Sequence, residues 1–261
     1  MWGRILAIIL RHAYLHRRNP ARVMEVFFWP IMDLLVWGFI TQYLESQEFQ
    51  GGVLFFIGAM ILWDLLYRSQ QAISLSMTEE FWVRNFVNIF VSPLSIPEFV
   101  SALCIVGFIK SALTTLLLGI LALLLYGFDL TSLGIALAPF YLNLLLFGWA
   151  VGLFTMGIIL RYGRAAEALI WGMPFLLQPL TAVFYPVTIL PGFLQVIAMC
   201  LPATYVFEGM RTVLRTGAVD WPQMGLAMVL NVFYLVLGAV FFGWMIRVVK
   251  EKGYLSRQNL Q

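Results

Sequence analysis

Long apolar stretches separated by short polar breaks dominate this chain, and their lengths carry the first inference. A helix needs about 20 apolar residues to cross a hydrocarbon core of about 30 Å. Stretches of that order run near 23–43, 53–76, 98–127, 132–160, 165–186 and 222–248. They are continuous rather than alternating, so they predict helices and not barrel strands. The expected fold is an all-α integral membrane domain of six transmembrane helices occupying 1–261 as one unit. Spans one to five lie within 23–186 and the sixth at 222–248, with a polar tail at 249–261. Several stretches exceed the required length, which implies tilt or extension beyond the bilayer.

Two shorter segments have amphipathic periodicity. In 1–18, Arg4, Arg11 and Arg18 recur every seven residues, drifting only about 20° per repeat, so they form one basic stripe. Trp2, Ile5, Leu6, Ile9 and Ala13 lie largely away from it. This predicts an N-terminal interfacial helix on an anionic membrane surface, reinforced by Arg17 and ended by Asn19-Pro20. Its apolar stretch at 5–10 is short, Arg11 follows at once and no small-residue cleavage site appears, so it is expected to stay on the mature chain. Between the second and third spans, Thr78 is placed to cap another amphipathic helix over 78–91. Glu79 and Glu80 fall in its first turn, favourable to the helix dipole, followed by Phe81, Trp82, Arg84, Asn85 and Phe86. Such a surface suits docking of another protein or contact with interfacial lipid, and its residues alone leave both open.

Prolines set the third feature. Pro174, Pro179, Pro186, Pro191 and Pro202 crowd the region between the fifth span and the last, each removing a backbone donor. The apolar stretch at 193–201 is too short to span, and 205–215 reads as a further helix. A re-entrant element over 187–215 that returns to the same side accommodates both. A seventh span would instead move the cationic tail to the opposite face.

Composition agrees with this picture: 62% hydrophobic and 11% charged residues leave too little polar surface for a water-soluble globule. The net charge of +3 is informative mainly through its placement. Arg4, Arg11, Arg17, Arg18 and Arg22 flank the first span, Arg161 and Arg164 fill the fourth connection, and Arg247, Lys250, Lys252 and Arg257 close the chain. The positive-inside rule then puts both termini in the cytoplasm. Arg211 and Arg215 fall on the outer side and require an explanation.

Candidate chemistry is sparse. His12 and His16 are the only histidines and both sit in the N-terminal segment, which leaves no serine–histidine or histidine–metal site within the spans. No G-x-x-x-x-G-K-[ST] phosphate loop occurs, so no ATP-binding motif is present. Cys104 and Cys200 lie among apolar neighbours without metal-ligand spacing and read as small hydrophobes. No basic patch on a soluble surface suits nucleic acid. Within the spans, Asp33, Asp64, Arg68 and Lys110 stand out, because a central ionised group costs about 2.5–3.5 kcal/mol and must face protein or water. Asp64 and Arg68, four apart, are placed to neutralise each other. Asp33 has no partner within a turn and marks a polar path or a helix contact.

The order of these features resembles the type-2 ABC exporter permeases. The resemblance rests on the amphipathic N-terminal helix, six spans, Ser92-Pro93-Leu94-Ser95, Tyr185-Pro186, Leu190-Pro191, Leu201-Pro202-Ala203-Thr204 and Glu208-Gly209-Met210-Arg211, and covers essentially the whole chain. It implies a second permease copy, two cytoplasmic ABC ATPase subunits that bind ATP and Mg, and no cofactor in this chain. It makes 79–90 a coupling helix on the ATPase and 190–215 a re-entrant external element, with Glu208 and Arg211 paired. It further implies export of an amphipathic, lipid-like or lipid-linked saccharide across a prokaryotic cytoplasmic membrane. The rival reading is an ion-coupled secondary transporter or channel using Asp33 and Asp64.

Overall fold

The structure is a computed structural model that describes residues 2–46, 53–82 and 92–252. All regular elements among them are helical. Helix α1 covers Trp2–Arg18, α2 Pro20–Ser46, α3 Val53–Trp82 and α4 Ile96–Tyr126. A 3-10 segment, Leu130–Ala136, leads into α5, Leu137–Tyr162. After another 3-10 turn come α6 (Leu169–Leu180), α7 (Gly192–Met199), α8 (Pro202–Thr216) and α9 (Trp221–Glu251).

Local chemistry explains the boundaries. Pro20 opens α2, where its missing N–H costs no hydrogen bond. Ser95 precedes α4, and Glu98 Oε2 reaches back to accept from the Ser95 backbone N–H at 2.9 Å and its hydroxyl at 2.9 Å. That helix stops at Gly127, whose φ of 66° admits the left-handed turn and lets its N–H bond Leu123 O. The Asp220 carboxylate accepts from Gln223 N–H and so caps α9.

Helix α5 forms the centre, with α9 on one side and α3 on the other. In its most apolar stretch 72% of residues are buried, against 22–28% in α2, α4 and α9, which therefore present apolar side chains outward. Close approach to α3 depends on Gly148 and Gly152, one turn apart. A Cβ on Gly148 would lie 2.7 Å from Leu66 O, and one on Gly152 would lie 3.0 Å from Gln70 O. Small residues let helix backbones meet in a membrane, where van der Waals packing must replace the hydrophobic effect between helices. Polar clamps add to it: Gln70 Nε2 donates to Ser74 Oγ at 3.1 Å and to Thr155 Oγ1 at 3.4 Å. Towards α9, Asn231 Nδ2 donates to Asn143 Oδ1 at 2.8 Å.

Four helical stretches among the described residues are long and apolar enough to cross a membrane: Val26–Leu44, Ile96–Tyr126, Leu130–Ala166 and Trp221–Glu251. The α7–α8 pair, bent by 97°, makes a fifth if it counts as one broken span. Helix α3 is 30 residues long, but Asp64, Arg68 and Glu79 interrupt its apolar character. The predicted fifth span at 165–186 is not one helix. Its regular part is the 12-residue α6, containing Pro174 and Pro179, about 18 Å long against a core of about 30 Å. The chain then breaks, with Ala182 at φ 51°.

Thr78 does not cap a new helix, since α3 runs on to Trp82. The Thr78 hydroxyl instead donates to Ser74 O, four residues back, at 3.3 Å. The rest of the predicted 78–91 helix, with Arg84, Asn85 and Phe86, lies outside the described residues.

Candidate functional site

The intramembrane charges that stand apart in sequence gather in space. Asp64 and Arg68 share a face of α3, with Arg68 Nε donating to Asp64 Oδ1 at 3.2 Å, both side chains buried. Arg68 Nη1 also donates to Gln71 Oε1 at 3.4 Å. Asp33 on α2 interacts electrostatically with Arg68 and Asp64. Lys110 on α4 lines a cavity of about 40 Å³ together with Arg68, Gln71 and Glu79. Thus α2, α3 and α4 bring Asp33, Asp64, Arg68 and Lys110 to one level of the bundle. Asp64 is only 5% exposed, whereas Asp33 stays exposed on a helix whose other exposed residues include Trp29, Met32 and Val36.

On one side of this level α1 docks along α4. Arg4 Nη1 donates to Pro93 O at 2.6 Å and to Glu98 Oε2 at 3.4 Å, joining the N-terminal helix to the turn before α4. Around α1 the residues divide into three faces: Ile5 and His12 buried against the bundle, Trp2, Leu6, Leu10 and Tyr14 exposed, and Arg4, Arg11 and Arg18 along a further edge. The Arg4 tie was not anticipated, although Ser95-Ile96-Pro97-Glu98 carries the S-x-x-E signal of the cap that holds Glu98 in place.

The predicted external element occupies the other end, where Phe184 packs against Trp37 with ring centroids 4.2 Å apart. Here Arg211 is buried at 7% exposure. Its Nη1 lies 3.0 Å from Glu208 Oε1, and its Nη2 donates to Ala182 O and, at 3.1 Å, to Val183 O. Its guanidinium also lies 4.5 Å from the centre of the Phe55 ring. Glu208 Oε1 accepts from Val187 N–H at 2.7 Å. The pair therefore satisfies backbone groups that the break after α6 leaves without helical partners. Tyr185 donates its hydroxyl to Pro179 O at 2.7 Å. Pro186, Pro191 and Pro202 open, in turn, the 3-10 turn Val187–Ile189, α7 and α8. Arg211 is thus a strut of the fold, which accounts for a cation away from the basic α1 end. Arg215, in the last turn of α8, complements that helix's C-terminal dipole.

Among the described residues no cluster of His, Cys, Asp or Glu is arranged to hold a metal ion. Long apolar helices, outward apolar faces and the buried Asp64–Arg68 pair define a multi-pass helical membrane protein. Residues 6–214 match the family model described as ABC-2 type transporter. The chain belongs to the ABC-2 type transporter family, and is the membrane permease subunit of an ABC transporter whose ATPase is a separate partner. No curated protein matches it.

Proposed function

We propose that this chain exports an amphipathic, lipid-like or lipid-linked saccharide substrate from a prokaryotic cytoplasm or inner leaflet, as one of two permease copies bound to two ABC ATPases. Family membership carries the proposal, and Asp33 adds a physical reason for a second copy. A carboxylate exposed on an apolar helix is costly against lipid, so its face of α2 belongs against protein or a water-filled path. In this reading the six spans comprise α2, α3, α4, α5, the broken α6 region and α9, with both termini cytoplasmic. The α7–α8 pair is the re-entrant element, at the external end.

ATP and Mg bind in the partner, and the region from Glu79, Glu80, Phe81 and Trp82 through Arg84, Asn85 and Phe86 meets that partner as the coupling helix. Closure of the ATPases then moves α3 and α4, the helices flanking this region, and with them the charge cluster. The test is transport in inverted membrane vesicles holding both subunits. Uptake should require ATP and persist when the ion gradients are collapsed. Uptake that needs an ion gradient and not ATP contradicts the proposal and favours a secondary transporter built on Asp33 and Asp64.

A further inference from the structure

The turn at 92–95 is the soft joint on the route from the ATPase-facing region to α4. Helix α3 runs unbroken through Glu79 and Glu80 to Trp82, so a displacement on that side travels along a continuous hydrogen-bonded rod. On the α4 side residues 92–95 are not helical, and a short irregular stretch of this kind is where a chain absorbs φ/ψ change as a hinge. A push that only bends the turn never reaches α4.

Arg4 braces this joint from outside. Its Nη1 donates to Pro93 O, within the turn, at 2.6 Å and to Glu98 Oε2, in the first turn of α4, at 3.4 Å. Glu98 Oε2 also accepts from the Ser95 backbone N–H and hydroxyl. One carboxylate oxygen thus holds the end of the turn, the start of α4 and α1 together. Beside these polar bonds, Ile8, Leu94 and Ile96 pack against a buried cluster that includes Ile73 of α3, Leu160 of α5 and Val249 of α9. A brace also needs a footing, and the exposed Trp2, Leu6, Leu10 and Tyr14 of α1 suit immersion at a membrane interface.

We infer that Arg4 is a positioning residue for energy coupling: it stiffens the turn at 92–95 by tying it to α1, so that motion delivered ahead of the turn moves α4 instead of bending the chain. Hydrogen-bond networks joined to rigid helices are the physical carriers of such coupling. Arg4 acts through α4, not on ATP or cargo. The inference rests on the reading in which the region from Glu79 to Phe86 meets the ATPase.

The experiment reads the motion of α4 directly. The permease–ATPase complex in phospholipid vesicles carries nitroxide labels on cysteines that replace the exposed Leu116 of α4 and Val232 of α9. Cys104→Ala and Cys200→Ala remove the native thiols, and dilution with unlabelled permease keeps each measured distance within one chain. Pulsed electron paramagnetic resonance gives the distance with and without ATP and Mg, and ATP hydrolysis is measured on the same sample. In wild type, ATP should shift the distance. Arg4→Ala should lower the shifted fraction about fivefold, the scale of one half-exposed charge-assisted hydrogen bond, with ATPase binding, hydrolysis and unfolding temperature unchanged. Arg4→Lys should restore the shift, because both bonds come from a single nitrogen and an ammonium has three donors. Arg18→Ala, which removes an exposed cation at the far end of the same helix, should shift like wild type. A full shift in Arg4→Ala, or an equal loss in Arg18→Ala, would overturn the inference and leave the coupling reading standing. A wild-type complex that hydrolyses ATP without any shift, or a permease that binds no ATPase, overturns that reading and the inference with it. Should Arg4→Ala lower the unfolding temperature, Arg4→Met, which keeps the apolar stem along α1, decides by the same measure.

Discussion

Arg211 shows how a single residue can reverse its apparent meaning. In sequence it is a cation at odds with the charge distribution. In three dimensions its guanidinium binds Glu208, two carbonyls of the chain break after α6 and the face of Phe55. The pairing was legible, because residues three apart share a helix face. Its backbone targets were not, since they depend on where the prolines break the chain at 181–183. Removing one member of a buried ionic network leaves the other uncompensated, so Arg211→Met should cost about 3–5 kcal/mol. Glu208→Gln should cost less, because its amide oxygen can still accept from Val187 N–H. Denaturant unfolding in mixed micelles checks the order. Asn231 is a weaker case: interhelical hydrogen bonds in membranes average about 0.6 kcal/mol, so Asn231→Ala should be mild in the same assay.

At the scale of elements, the tight α3–α5 contact rests on Gly148-x-x-x-Gly152, a spacing with a known packing consequence that was not singled out in the sequence. Gly148→Leu forces side-chain atoms into the α3 backbone and should destabilise the fold by about 1–3 kcal/mol. Gly172 has open space around its would-be Cβ, so Gly172→Ala should leave the melting temperature nearly unchanged. Thermal melts of the two variants side by side test whether close approach, rather than loss of glycine, matters. The fifth helix was harder to read. Hydropathy over 165–186 is continuous, but Pro174, Pro179 and the left-handed Ala182 interrupt the backbone without interrupting the apolar run. The end of α3 was misleading for a related reason: Thr78 resembles a cap in sequence, yet its hydroxyl is satisfied inside the helix by Ser74 O.

For the whole molecule, membrane character and the permease family were legible because they depend on apolar run length and on the order of short motifs. The convergence of Asp33, Asp64, Arg68 and Lys110 was not, since it depends on how α2, α3 and α4 line up. If the segment from Glu79 to Phe86 couples the permease to its ATPase, Arg84→Glu combined with Phe86→Ala should reduce ATP-driven transport at least tenfold, a loss of about 1.4 kcal/mol of coupling. Unfolding temperature should not change, because these side chains would face the partner. Vesicle uptake and unfolding of the same preparation separate coupling from folding. The central claim is that this membrane chain works with a partner ABC ATPase. Its most direct test is to purify the tagged permease from its native membrane and measure ATP hydrolysis in the eluate. The account predicts a co-purifying ABC ATPase, one per permease, with hydrolysis that requires Mg; a permease that transports substrate with no ATPase bound would contradict it.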